Sequence, residues 1–443
     1  MTQGSVNRVH RKSLAIAATA GLLALGAAGC GSAPSTAPTS SAPKHVTITF
    51  MEAMSSGTLS KAMDHLTQEF NHKYHNITVQ LIVESSYGTL EAKEEASIAA
   101  GDPPTIGQAY EDWAATYAAS SAIVPLSSFV HGPNGVSASY IASIWPGVWK
   151  DQFLPNGKLY MWPFNKSDFV MYYNAARLTQ DHLSVPKTWS QFEQTAKAVT
   201  SMSMDNWGFS MDAGTSSEAA NGTYLYVALL RAFGGHLLKN GRIAYDSPAG
   251  VAAMQVLKTM YDNGSMKLGT NYPGQTALGS EHGEFDLSTI ASYYYNEEAI
   301  GGKFPMGVAP LPSGPAGQGN VLQGTNIVMF ADATPAQQNA AWTFMKWLTE
   351  PAQTAYWATH TGYLPVTKEA LPLMASYYVS HPYQKIAAES LEYARPTPAV
   401  AGFTEAVGTI ADAIETVLLK NANISQTLST EAALAQQDLS TAQ

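Results

Sequence analysis

The stretch from Val46 to Trp113 constrains the fold more than any other part of the chain, because two backbone periods alternate within it. Val46, Ile48 and Phe50 repeat every second residue, as a strand with one buried face requires. Leu59, Met63, Leu66 and Phe70 then fall on one face of a helix spanning about Thr58 to His72. Ile77 to Val83 reads as a second strand and Leu90 to Ala100 as a second helix, with Gly101 at its C-cap. Asp102-Pro103-Pro104 stops that helix, and Thr105 to Ala109 forms a short strand leading into Tyr110-Glu111-Asp112-Trp113. Strand, helix, strand, helix, strand at this spacing means parallel βαβ units. Ligands of such sheets bind beyond the carboxyl ends of the strands. Those ends are the loop Met51 to Gly57, the turn Ser85 to Tyr87, and Glu111.

A second informative stretch is Thr334 to Lys368. Thr334-Pro335 is a helix start, a capping hydroxyl followed by a residue with no N–H to satisfy. Ala341, Phe344, Met345 and Leu348 give that helix an apolar face, and Pro351 opens a second one carrying Ala355, Tyr356 and Ala358. Gly362 breaks the chain, and Tyr363-Leu364-Pro365-Val366 reads as an extended crossing that holds a tyrosine in place. Between the two stretches, Thr188 should cap a helix from Trp189, and Ser247-Pro248 another that runs to Tyr261. Beyond Tyr363, helices are expected around Tyr377 to Tyr393 and Phe403 to Lys420, followed by a polar tail. There is no internal repeat.

The N-terminus reads as an export signal. Arg8, Arg11 and Lys12 precede an apolar run, Leu14 to Leu25, too short to span a bilayer comfortably. Ala27-Ala28-Gly29 then leads to Cys30, the one cysteine in 443 residues, so an intrachain disulfide is impossible. A lone thiol at a signal cleavage point reads as a lipidation site, anchoring the chain to the outer face of the membrane. The alternative is an ordinary cleaved signal with an incidental cysteine. Residues 30–44, rich in Ser, Ala, Thr and Pro, read as a disordered tether. Removing residues 1–29 takes away three basic residues and no acid, so the formal charge goes from −10 to −13. An acidic surface argues against nucleic-acid binding, which needs basic patches.

Several short runs carry a family likeness: Ala99-Ala100-Gly101-Asp102-Pro103-Pro104-Thr105-Ile106, Trp162-Pro163-Phe164-Asn165, Met171-Tyr172-Tyr173-Asn174, Pro186-Lys187-Thr188-Trp189, and His360 to Lys368. In this order and spacing, from about Val46 to the early 420s, the chain resembles the extracellular solute-binding proteins of ABC importers. The likeness is to the large carbohydrate-binding type that includes maltose- and glycerol-phosphate-binding proteins. It implies a two-lobed α/β fold with mainly parallel sheets flanked by helices and three interlobe crossings, near Phe164, Ile290 and Gly362. The lobes would comprise residues 45–165 with 291–362, and residues 166–290 with 363–443. It further implies a monomer that takes up a small carbohydrate-type solute without a cofactor or metal and presents it to a membrane permease.

The same resemblance, taken position by position, implies ligand contacts at Tyr87, Glu111, Ser167, Ser292 (or Ala291), Gly324 and Tyr363. It also offers Arg395 as the phosphate-binding arginine of the glycerol-phosphate members, an ion-pair or packing role being the alternative. The segment Asp212 to Thr223 lacks the tryptophan-rich pattern of some glycerol-phosphate binders. Trp113, Tyr224, Tyr293, Tyr294 and Tyr295 are core residues in the main, with one or two expected in the cleft.

Catalysis is weakly supported. A glycoside hydrolase needs two carboxylates set across a cleft, and Glu52, Glu111 and Asp112 all sit at loop ends. Nothing in the sequence pairs them. The chain has no GxSxG, HExxH or phosphate-loop motif, and His65, His72 and His75 are expected to be surface histidines. An adhesin or scaffold without a cleft ligand is the remaining class.

Overall fold

The computed structural model describes residues 45–213 and 221–442. The signal, the lipidation site at Cys30 and the tether therefore lie outside the described residues, as does most of the segment after Asp212. Within them, no helix is long and apolar enough to cross a membrane.

The molecule has two lobes, each built on one sheet. The first sheet has the order Ile77–Val83, Val46–Glu52, Ile106–Ala109, Asn326–Met329, Trp162–Pro163. Its first three strands are parallel, in register from Val46 opposite Ile77 to Glu52 opposite Val83. The last two run antiparallel to what precedes them. Ile48, Phe50, Ile106 and Ile327 pack there against Met63, Leu66 and Phe70 of the helix Gly57–Lys73 and Phe344 and Trp347 of the helix Pro335–Leu348. The second sheet has the order Met306–Pro310, Ser167–Asn174, Gly283–Thr289, Trp207–Asp212, Met266–Gly269, with Leu322–Gln323 also paired to Ser167–Asn174. Phe169, Met171, Phe209 and Phe285 pack against the helices Asn221–Ala232, Pro248–Asp262 and Phe403–Leu419.

Both sheets are thus mixed rather than mainly parallel. Parallel pairing holds wherever a helix returns the chain to the same edge. It fails at strands that arrive from the other lobe, which enter the sheet from the opposite end.

The chain passes first from sheet to sheet at Phe164–Lys166, between the strands Trp162–Pro163 and Ser167–Asn174. It returns at Gly324–Thr325, not near Ile290: the helix Tyr293–Ile300 and the strand Met306–Pro310 stay with the second sheet. Residues 291–323, expected in the first lobe, thereby go with the second. The reason is register, since Met306–Pro310 pairs along the whole of Asn174–Val170, which the sequence pattern does not disclose. The last passage begins at Gly362 (φ +83°), where Leu364 donates its N–H to the Lys166 carbonyl at 2.7 Å.

Thr334 and Gln337 form a reciprocal capping box, and Thr188 and Ser247 cap their helices as expected. Two readings change. The helix expected over Tyr377–Tyr393 is two, Ala375–Ser380 and Pro382–Ser390, because Pro382 has no N–H to continue the ladder. The polar tail is instead a helix, Ile424–Ala442, that buries Ile424, Leu428, Ala435 and Leu439 against the helix Phe403–Leu419.

Candidate functional site

A cavity of about 390 Å³ lies at the carboxyl ends of the first-sheet strands and is walled by both lobes. The first lobe contributes Ala53 and Met54, which follow the strand Val46–Glu52, together with Tyr87 and Tyr110, each at the entrance to a helix. The crossings contribute Ser167, Gln323, Gly324 and Tyr363. The second lobe adds Asn221, Tyr272, Gln275, Thr289, Ala291, Ser292 and Tyr295. Five tyrosines and a set of hydroxyls and amides thus face the cavity, and among the described residues no charged side chain lines it.

Local geometry explains the placements. Ser86 caps the helix Tyr87–Ala100 by accepting from the Thr89 N–H at 3.2 Å, which sets Tyr87 on its first turn. The Tyr87 Oη lies 3.1 Å from Tyr363 Oη and accepts from Asn165 Nδ2 at 2.8 Å. Gly324 has φ +91°, and a Cβ there would fall 1.7 Å from the Asn165 carbonyl oxygen. No other residue fits without moving the first crossing. Tyr272 holds a left-handed backbone (φ +57°), a conformation a bulky residue adopts only when its surroundings impose it. Burial raises the pKa of Tyr87, Tyr110 and Tyr363, so all three stay protonated at neutral pH.

The structure thus brings together Tyr87, Ser167, Ser292, Gly324 and Tyr363, with Ala291 beside Ser292, on one cavity. Two of the residues singled out from the sequence lie elsewhere. Glu111 points away from the cavity into a buried charge cluster. There Lys166 Nζ donates to Asp151 Oδ2 at 2.7 Å and to the Gly324 carbonyl at 2.9 Å, and Asn326 Nδ2 donates to the same Asp151 oxygen at 2.8 Å. Burial, and then the Asp151 charge, push the Glu111 pKa well above the usual range, against the opposing effect of Lys166. Glu111 therefore sits beside an ion pair, in surroundings that favour its protonated form. A wholly buried lysine at the crossing needs acids around it, and this demand takes Glu111 inward.

Arg395 also lies off this cavity. It borders a second, more open one of about 840 Å³, along with Lys150, Asp151, Arg231, His236 and Tyr393. The Arg231 guanidinium donates to the carbonyls of Asn320, Arg395 and Pro396 at 2.6–2.8 Å. Burial and the neighbouring Arg395 charge lower its pKa to about 9. Of the other acids at loop ends, Glu52 accepts from the Met54 N–H and Asp112 from the Thr404 hydroxyl, and neither lines the tyrosine cavity.

Sequence reasoning missed Asn165, Tyr110, Asn221, Tyr272, Gln275, Thr289 and Gln323. Asn165 and Tyr110 stood inside quoted motifs without a role. The second-lobe residues sit at the ends of short helices and strands, where the sequence offers no period to read. Among the aromatics, Tyr295 lines the cavity, whereas Trp113 and Tyr293 are core.

The family model for bacterial extracellular solute-binding proteins matches residues 65–386. The chain is 26% identical to the sn-glycerol-3-phosphate-binding periplasmic protein UgpB of Pectobacterium atrosepticum over 372 residues, 78% of this chain and 80% of that one. It is 27% identical to UgpB of Escherichia coli over 377 residues, 80% of this chain and 83% of that one. Among solved structures, UgpB of Mycobacterium tuberculosis in complex with glycerophosphocholine superposes with a TM-score of 0.78 at 22% identity, covering 89% of this chain and 99% of that one. The cyclic alpha-maltosyl-1,6-maltose binding protein of Arthrobacter globiformis does so with a TM-score of 0.77 at 19% identity, with the same coverage. Two sheet-based lobes around a polar, aromatic cavity and a match over most of the chain agree: the protein belongs to the bacterial extracellular solute-binding family and is a solute-binding protein of the kind that serves ABC importers.

Proposed function

We propose that the protein captures a neutral, polyhydroxylated solute, a sugar or oligosaccharide, between its lobes and delivers it unaltered to a membrane permease. The observation that carries this reading is the lining of the tyrosine cavity: five phenols, hydroxyls and carboxamides, with no charged side chain among the described residues. Such groups match the hydroxyls and C–H faces of a sugar, and nothing in them compensates a phosphate. Tyr87, Ser167, Ser292, Gly324 and Tyr363 are the proposed ligand contacts from the earlier set, with Tyr110, Tyr272 and Tyr295 added.

Because both lobes supply contacts, the ligand completes its set only when the lobes are closed, and so favours closure. That no carboxylate among the described residues lines the cavity also favours binding without turnover over a glycosidase mechanism, which needs two. Cys30 would carry the lipid that holds the monomer at the outer face of the membrane.

A thermal-shift screen of sugars and polyol phosphates tests the ligand class. A true ligand at 100 times its Kd should stabilise the fold by about 2.7 kcal/mol. Stabilisation by polyol phosphates alone would replace this reading with the second one. Small-angle scattering should show a smaller radius with the ligand, and mass spectrometry should recover the ligand intact. Cys30→Ser should abolish labelling by palmitate analogues.

The second reading is glycerol 3-phosphate or a glycerophosphodiester. It is favoured by the Arg231–Arg395 pair at the larger cavity and by the names of the UgpB relatives.

A further inference from the structure

The hydrogen bonds behind the tyrosine cavity run in one direction, because backbone amides anchor them. Ala53 N–H can only donate, and it meets Gln108 Oε1 at 2.7 Å, so Gln108 presents its Nε2 to Thr325 Oγ1, 3.0 Å away. Likewise Thr325 N–H meets Asn165 Oδ1 at 2.9 Å, which turns Asn165 Nδ2 towards Tyr87 Oη at 2.8 Å. Thr325 Oγ1, already accepting from Gln108, gives its own proton to Asn165 Oδ1 at 2.6 Å. The two carboxamides are thereby oriented by groups that cannot reverse. Gln108, Asn165 and Thr325 are all wholly buried, so water does not offer an alternative arrangement.

The consequence falls on the tyrosines. Tyr87 Oη receives an N–H and pairs with Tyr363 Oη, and both rings line the cavity. The two phenols hold two O–H protons, and their mutual bond uses one. Whichever phenol donates to the other, one O–H remains and is directed at the ligand, polarised by the bonds behind it. We infer that Asn165 is a positioning residue that makes the Tyr87–Tyr363 pair a hydrogen-bond donor, so that the ligand must present an acceptor oxygen there. A ring, glycosidic or hydroxyl oxygen satisfies this demand, and an N–H group at the same point is rejected. The ligand side of this inference rests on the proposed sugar site. The donor side rests on the protein alone.

Asn165→Asp separates the two. Its carboxylate still accepts from Thr325 but can no longer donate to Tyr87. Tyr87 must then donate to it, Tyr363 must donate to Tyr87, and no O–H is left for the cavity. Protonating the introduced acid restores a donor towards Tyr87. In the protein without ligand, infrared difference spectra (each protein minus its Tyr87→Phe form) should show the phenolic C–O stretch of Tyr87 as that of an accepting hydroxyl in the parent. In Asn165→Asp at pH 8 it should move to that of a hydroxyl donating to a carboxylate while accepting from Tyr363. An unchanged band overturns the inference whatever the ligand proves to be.

Calorimetry then uses the sugar giving the largest thermal shift among maltose, maltotriose and trehalose. Asn165→Asp should bind it roughly 3- to 10-fold more weakly at pH 8 and close to normally at pH 5, while the parent changes little. Equal loss at both pH values would assign Asn165 a packing role only and overturn the inference. If none of the three binds, the sugar reading fails and the infrared result alone decides the donor.

Discussion

The two cavities between the lobes are built on opposite principles. The tyrosine cavity is lined, among the described residues, by neutral groups whose polarity is set by a buried carboxamide relay. The larger cavity is bordered by Lys150, Arg231, His236 and Arg395 and by two acids, Asp151 and Glu392, paired to Lys166 and Lys368. Between them stands the Glu111–Asp151–Lys166 cluster, which absorbs the charges that the crossing strands bring inward. The difference teaches that acids and bases at predicted loop ends are not thereby ligand contacts. Burying Lys166 places acids beside it, and among the described residues the cavity is left to hydroxyls, carboxamides and apolar groups.

The largest effect expected from this contrast is on stability. Lys166→Met leaves Asp151 buried without its cation and should cost about 3–5 kcal/mol in urea unfolding. Ser167→Ala, one residue on but facing the tyrosine cavity, should change stability by less than about 1 kcal/mol and show its effect in ligand affinity instead. Equal losses would erase the distinction between the two environments.

Next in size is Arg395→Ala. The Arg395 backbone carbonyl keeps its bonds from Arg231 and Leu322, so the change removes only the guanidinium. A phosphate-bearing ligand seated at the larger cavity should lose about 1.5–3 kcal/mol in calorimetry. A sugar in the tyrosine cavity should lose almost nothing, and a large loss would move the ligand site. Smaller again is Tyr363→Phe, which should weaken sugar binding by about 0.5–1.5 kcal/mol with the melting temperature nearly unchanged.

The smallest expected effect concerns pH. Burial raises Glu52 to about 7, and Glu91 and Glu284 to about 8, so the native state keeps protons that the unfolded chain releases above its ordinary carboxylate pKa near 4.5. The contribution of these groups is fully present below that value and is lost as the pH rises through their native pKa values. The melting temperature should therefore fall by a few degrees between pH 5 and pH 8. A rise over that window would show that other titrations dominate.

Much of this architecture was legible in advance where the signal is short-range. The alternation through Val46–Phe50, the apolar helical face from Leu59 to Phe70, the Thr334 cap and the Gly362 break each depend on neighbours within a turn or two. The terminal helix Ile424–Ala442 escaped notice because its apolar residues are diluted by Gln, Ser and Thr. Its helicity rests on packing against Phe403–Leu419 more than on its own pattern. The return crossing lies about thirty residues beyond the point the sequence pattern indicates, since nothing within a strand specifies which sheet it joins. Tyr87 and Tyr363 were picked from motifs, but their meeting at 3.1 Å joins residues 276 apart.

The sequence by itself determined the succession of strands and helices, the caps and breaks, the uncharged and aromatic character available to a cleft, and the family likeness. Only the tertiary structure decided that Glu111 turns inward to Asp151, that Arg395 serves another cavity, and that Asn165 joins two crossings 160 residues apart. Periodicity and capping act through the nearest few residues. The direction a polar side chain takes in the interior is fixed instead by which distant donor or charge would otherwise be left unpaired.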